Sequence, residues 1–102
     1  MIQSFLNKNT EAIFYRNPKG IKKPNKFLPR ELYGKAWKIL TKLNAIKTHQ
    51  EFFKYPSLNF HSLGGDRKDE YALSIDKRWR VCFKWHEKEN YPYDVDINDH
   101  YK

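Results

Sequence analysis

With 102 residues, 17% of them aromatic, and a net charge of +8, the chain suits one domain over residues 1–102 with a single core. Its lone cysteine, Cys82, excludes an intramolecular disulfide and a cysteine-rich zinc site. No apolar run has the length of a membrane span and the N-terminus has no charged-then-apolar leader pattern, so a reduced, cytoplasmic setting is expected.

Met1 to Phe5 alternates in part and reads as a terminal strand joining a sheet. Asn9-Thr10 precedes Glu11 to Phe14, a short helix with a polar cap, which Asn17-Pro18-Lys19-Gly20 stops. Ile21 to Lys26, broken by Pro24, reads as a basic, mobile connection. Pro29 suits a first helical turn. Leu32, Ala36, Ile39, Leu40, Leu43 and Ile46 then recur at three- and four-residue spacing, widened by Tyr33 and Trp37, and this stripe is core. The other face carries Arg30, Lys35, Lys38, Lys42 and Lys47. Gly34 costs this helix about 1 kcal/mol relative to Ala unless something packs close to it. Thr48 and Glu51 form a capping-box pattern for a second short helix through Phe53, which Pro56 ends.

Leu58 to Leu63 starts the sheet and Gly64-Gly65 turns it. Tyr71, Leu73 and Ile75, then Val81, Phe83 and Trp85, alternate as two strands with one buried face. Asp76 to Trp79 is a short polar interruption joining them. Arg80, Cys82, Lys84 and His86 point away from the core, so the sheet offers cations on that side. Asn90 to Pro92 makes another turn, and Tyr93, Val95 and Ile97 form the last strand, with Asp94 and Asp96 opposite. Strand, helices, then consecutive strands make an α+β domain.

The charge is unevenly spread. Arg16 to Lys47 holds ten cations and one acid, Glu31, while His86 to Lys102 holds five acids and two lysines. A basic stripe suits a nucleic-acid backbone or an acidic partner; surplus lysine on a solvated helix face explains it as well.

Several stretches now stand in order: Ile2-Gln3-Ser4-Phe5, Leu63-Gly64-Gly65-Asp66-Arg67, Leu73-Ser74-Ile75, Arg78-Trp79-Arg80-Val81-Cys82-Phe83-Lys84-Trp85, and Tyr93 to Asp99. Together they resemble the HigB group of the RelE/ParE toxin superfamily, toxins of bacterial toxin–antitoxin pairs. The Asn17 to Lys26 loop is longer and more basic than that group's pattern. The resemblance implies a compact RelE-like domain, with an N-terminal strand and two main helices packed on a twisted, mostly antiparallel sheet. It also implies cleavage of messenger RNA in the ribosomal A site without metal or cofactor, arresting translation, and neutralisation by a HigA-like helix-turn-helix antitoxin that covers or distorts the basic cleft. Composition and periodicity alone give only a basic α+β domain.

Cleavage by attack of a ribose 2′-OH needs a base, an acid for the leaving 5′-oxygen, and cations for the charge growing on the phosphate. Arg80 matches an arginine that the family assigns to transition-state stabilisation, a task its two-pronged guanidinium suits; the alternative is a surface arginine paired with Asp94 or Asp96. Arg67 either touches the RNA backbone or pins its loop through Asp66. His61 falls where some HigB toxins place a catalytic histidine, a residue type that can serve as base or acid; a structural strand residue is the alternative. The family often ends Asp-Tyr-His, whereas this chain has Asp99-His100-Tyr101 before Lys102. On a strand, such a one-residue shift reverses the face. With Arg80 and His61, Asp99, His100 and Tyr101 make up the expected catalytic set. In it a tyrosine can stack on a base or help proton transfer, and a histidine can be acid or base. Either the tail bends to restore the geometry, those two roles exchange, or activity is weakened.

Gly64 stands where some members carry a catalytic lysine, with Lys84, Lys68 or Lys102 as replacements. Lys35, Lys38, Lys42, Arg67, Lys68 and Lys84 make up the expected RNA-binding set. Cys82 has no evident His–Asp partner and reads as a small filler. His49 and His86 read as structural or solvent-facing. Two other readings stand beside the nuclease: a non-enzymatic ParE-type gyrase poison on the same fold, which needs no acid–base set, and an RNA-binding domain whose swapped tail marks lost activity.

Overall fold

The protein, a computed structural model, is described for residues 1–67 and 69–99; Lys68, His100, Tyr101 and Lys102 lie outside the described residues. Helix α1 (Lys8–Phe14) is opened by Asn7, whose side-chain oxygen accepts the Thr10 amide at 2.8 Å. The sequence suggested a cap at Asn9-Thr10, but both residues are otherwise engaged. Thr10 is fully buried; its hydroxyl donates to the Asn7 side chain at 2.9 Å and accepts the Ile97 amide at 3.0 Å. Asn9 exchanges two hydrogen bonds with the Lys22 backbone, at 2.9 and 2.7 Å. These bonds, with Ile21 buried beside them, pin the start of the basic loop that read as a mobile connection.

A 3-10 turn over Arg30–Leu32 leads into α2 (Tyr33–Ala45), where Ala36, Ile39, Leu40 and Leu43 are buried as the spacing requires. The Glu51 carboxylate accepts the Lys47 and Thr48 amides at 2.7 and 3.0 Å, as the capping pattern predicts. The helix it opens, His49–Lys54, is 3-10. Phe52 from this turn is fully buried and packs near Phe60 and Phe83, with ring centroids 5.6 and 6.3 Å away.

The sheet runs in chain order, β1 (His61–Ser62), β2 (Glu70–Ser74), β3 (Arg80–His86) and β4 (Tyr91–Asn98), each antiparallel to its neighbour. β1 is shorter than the expected Leu58–Leu63, because Pro56–Leu58 forms a 3-10 turn and Asn59 takes a left-handed φ of 49°. Gly64 and Gly65 turn the chain at φ 66° and 55°, where glycine has no steric penalty. The expected N-terminal strand is a single parallel bridge, Phe5 to Val95. The link between β2 and β3 is not wholly polar. Asp76 accepts the Arg78 and Trp79 amides at 2.9 and 2.6 Å, and this tight turn carries Trp79 into the core against Phe27.

β4 departs most from expectation. It starts at Tyr91, so Pro92 lies within the strand. Cys82 pairs with Asp96 but Lys84 pairs with Tyr93, leaving Phe83 opposite two residues. Asp94 absorbs the extra residue at a left-handed φ of 50°, and its backbone and side chain both bond the Ser4 hydroxyl. The bulge shifts the alternation: Pro92 and Val95 both face inward, and Tyr93 moves to the polar face opposite Lys84.

The result is a two-layer α+β fold, helices on one face of an antiparallel sheet. Its Cα radius of gyration is 12.8 Å, close to the roughly 13 Å of a well-packed 100-residue domain. Among the described residues no helix is long and apolar enough to cross a membrane.

Candidate active site

Directly opposed residues of antiparallel strands share a face, so the register lays out the polar side of the sheet row by row. Ser74, Arg80 and Asn98 form one row; His61, Ala72, Cys82 and Asp96 the next; Glu70, Lys84 and Tyr93 a third. At the Arg80 end opens a cleft of about 700 Å³. Arg80 from β3, His61 from β1 and Lys35 from the first turn of α2 all line it, with Asn59, Asp76 and Lys77 among the other walls. Three of the residues expected from sequence thus meet across three elements.

His61 Nδ1 lies 2.7 Å from the Asn59 carbonyl oxygen. A carbonyl can only accept, so Nδ1 carries the proton. In the neutral ring Nε2 is then left as a base. Asp76 is the acid of the cleft; the Trp79 amide, then that of Arg78, holds its carboxyl below the usual carboxylate range. Lys35, Lys77 and Arg80 outnumber it, so the cleft favours an anion.

Cys82 belongs to the polar face by alternation yet is buried, beside Arg80, Arg67 and Asn98. Burial pushes its thiol up, only partly offset by a hydrogen bond from Asn98 and the two nearby guanidinium groups. The protonated thiol is the filler that the sequence suggested. Arg67 pairs with Glu70, Nε to carboxylate at 2.8 Å, rather than with Asp66. That bond raises its already high pKa.

The remaining candidates divide. Lys84 lies on the polar face, 3.9 Å from Asp94. Asp99 accepts from Arg78 Nε at 2.9 Å, tying the end of the described chain to the β2–β3 turn. Lys38 and Lys42 are not in the cleft; they line a separate groove beyond Trp37, with the Lys42 ammonium 3.9 Å over the Tyr55 ring. Lys68, His100 and Tyr101 lie outside the described residues. His49 proves structural: it is buried, stacked on Tyr71 at 4.7 Å, with Nε2 3.3 Å from Glu87. His86 stacks on Tyr91 at 4.8 Å.

Sequence reasoning overlooked Ser74 and Asn98 beside Arg80, though both fall on the polar phase of their strands. Asn59 had no local signal. Among the described residues no three His, Cys, Asp or Glu side chains gather as metal ligands.

Two helices back a four-stranded antiparallel sheet, and a cationic cleft opens at its Arg80 end between the polar face and the start of α2, an architecture consistent with the RelE-like fold. A family model described as the RelE-like toxin of type II toxin–antitoxin system HigB matches residues 4–100, and the chain belongs to this HigB-like toxin family. A cognate antitoxin is therefore its partner. A comparison with curated proteins found no match.

Proposed function

We propose that the chain, a single toxin domain over residues 1–102, is a ribosome-dependent endoribonuclease that cuts messenger RNA and arrests translation. The observation that carries this reading is the meeting of Arg80, His61 and Lys35 in one cleft. A base removes the 2′ proton, the 2′-oxygen bonds to the adjacent phosphorus, and the bond to the 5′-oxygen breaks as that oxygen is protonated. The products are a 2′,3′-cyclic phosphate and a 5′-hydroxyl, and the reaction runs without metal or cofactor.

Arg80 offers its fork to the phosphate as negative charge builds on the oxygens. Losing one such preorganised donor typically costs about 2.7–4 kcal/mol of barrier. His61, with Nδ1–H held by Asn59, presents Nε2 to the 2′ proton. His100 and Tyr101 serve the leaving oxygen, from a tail whose first residue, Asp99, is anchored to Arg78. Lys35, Arg67, Lys68 and Lys84 grip the RNA backbone, which makes binding steeply salt-dependent. In the cytoplasm the partners are the ribosome with its message and a HigA-like helix-turn-helix antitoxin.

Primer extension on ribosome-bound message tests this reading, with the wild-type chain set beside Arg80→Ala, His61→Gln and the double variant His100→Ala/Tyr101→Ala. New 5′ ends within codons, lost in Arg80→Ala, are expected. Intact message from folded protein that still stops growth would sink the nuclease and favour a gyrase poison. Ribosome binding without cleavage would leave an RNA-binding domain.

A further inference from the structure

A second concave surface runs along α2 and shares no lining residue with the cleft. Its first part, about 170 Å³ between α1 and α2, has apolar walls that include Ala12, Ile13 and Ile21. Trp37 is the wall it shares with a second part of about 580 Å³, which continues past Ala45 and Ile46 to Tyr55. Cations stand along this trough. The Arg16 guanidinium lies 3.7 Å over the Trp37 ring, the Lys42 ammonium lies 3.9 Å over Tyr55, and Lys38 stands between. The acid that lines it, Glu51, is already engaged with the Lys47 and Thr48 amides.

Gly34 supplies an independent observation. It sits in the first turn of α2, exposed, on the wall of the trough, and a Cβ there would meet nothing within 4 Å. A helix disfavours glycine, and no packing among the described residues accounts for it. A partner backbone lying close against α2 does. Much of the wall is aliphatic, which offers no face for base stacking; of its three aromatic rings, Trp37 and Tyr55 are each already covered by a cation and Tyr33 is partly buried against the core. A protein segment fits these walls better than RNA.

We infer that this trough seats the antitoxin, through a segment that turns apolar side chains inward and sets carboxylates against Arg16, Lys38 and Lys42. The inference rests on family membership and is independent of the nuclease reading. Gly34 lines the trough and its neighbour Lys35 lines the cleft. The two surfaces therefore adjoin at the start of α2.

The test uses the full chain and the purified antitoxin encoded with it, with Kd measured by titration calorimetry. Gly34→Gln adds bulk to the trough wall at a position where a Cβ meets open space, and Arg16→Glu reverses one rim charge. Each is expected to weaken binding at least tenfold, while Gly34→Gln cuts ribosome-bound message at the wild-type rate. Hydrogen exchange on the wild-type complex should show amides of α1 and α2 protected, a readout that needs no variant to fold. Wild-type affinity in both folded variants would overturn the inference, as would unprotected helices in the complex. So would antitoxin affinity unchanged alongside weakened ribosome binding, which would make the trough an RNA surface. A toxin that cuts no message yet loses antitoxin affinity in both variants would refute the nuclease alone.

Discussion

Replacing Thr10 with Val exchanges a hydroxyl for a methyl at nearly constant volume, in a side chain with no exposure to solvent. The Ile97 amide then loses its acceptor, 3.0 Å away, in a buried setting. Leaving such a donor unpaired costs about 1–3 kcal/mol. The Asn7 side chain keeps the Thr10 amide but loses the hydroxyl at 2.9 Å, a further loss of about 0.5–1.5 kcal/mol. Together the substitution should destabilise the fold by about 2–4 kcal/mol, a large share of the 5–15 kcal/mol typical of a domain. Thr10→Ser keeps the hydroxyl and removes one methyl, at about 1 kcal/mol. Urea unfolding followed by tryptophan fluorescence should give wild type above Ser above Val in midpoint, with the slope unchanged. A Val variant as stable as Ser would refute the claim that this hydroxyl joins α1 to β4.

Gly34→Ala should raise stability by up to about 1 kcal/mol, because the added methyl meets open space; a lower melting temperature would show that the space is not open. Glu51 has its carboxyl held below its ordinary value of 4.5 by the Thr48 and then the Lys47 amide. A depressed folded pKa contributes stability that is full above the unfolded value and lost as pH falls through the folded one. The gap between wild type and Glu51→Gln should therefore shrink on acidification, and a gap that stays constant with pH would exclude this carboxylate as its source. Lys84→Ala removes a loose, half-exposed pair at 3.9 Å and should change stability by less than about 0.5 kcal/mol. Message cleavage should fall and lose part of its salt dependence, and unchanged cleavage would remove Lys84 from the RNA-binding set.

How much of this was legible depends on what each feature requires. The α2 stripe and the inward phase of β3 are local periodicities, and Ala36, Leu40, Val81 and Phe83 are buried as read. Arg80 was placed on the correct face because it pairs with Ser74 and Asn98 without an intervening bulge. Tyr93 was misplaced because one extra residue, Asp94, reverses the alternation before it. Lys35, Lys38 and Lys42 share a helical face by angle, yet seven residues of helix span about 10 Å. That is far enough to put Lys35 in the cleft and Lys42 in the trough. The α1 cap was misread because Thr10 suits a cap by type, and only the distant Ile97 amide explains why it is buried instead.

The two places where the sheet departs from a regular strand are also where its polar face takes its character. Asn59 and Asp94 both adopt left-handed backbone, which few residues other than glycine tolerate; Asn and Asp are among them. Asn59 delays the start of β1, and the same residue turns its carbonyl to His61 Nδ1 and so fixes the tautomer that leaves Nε2 as the acceptor in the neutral ring. Asp94 bulges β4, and that bulge sets Tyr93 opposite Lys84 on the uncovered face. A perfectly alternating sheet would present Arg80 all the same, but Tyr93 would not stand beside Lys84 and His61 would lack its fixed tautomer. Breaks in alternation of this kind are expected where a fold gives up regularity for a site. They tie the character of this polar face to backbone conformation as much as to the identity of its cations.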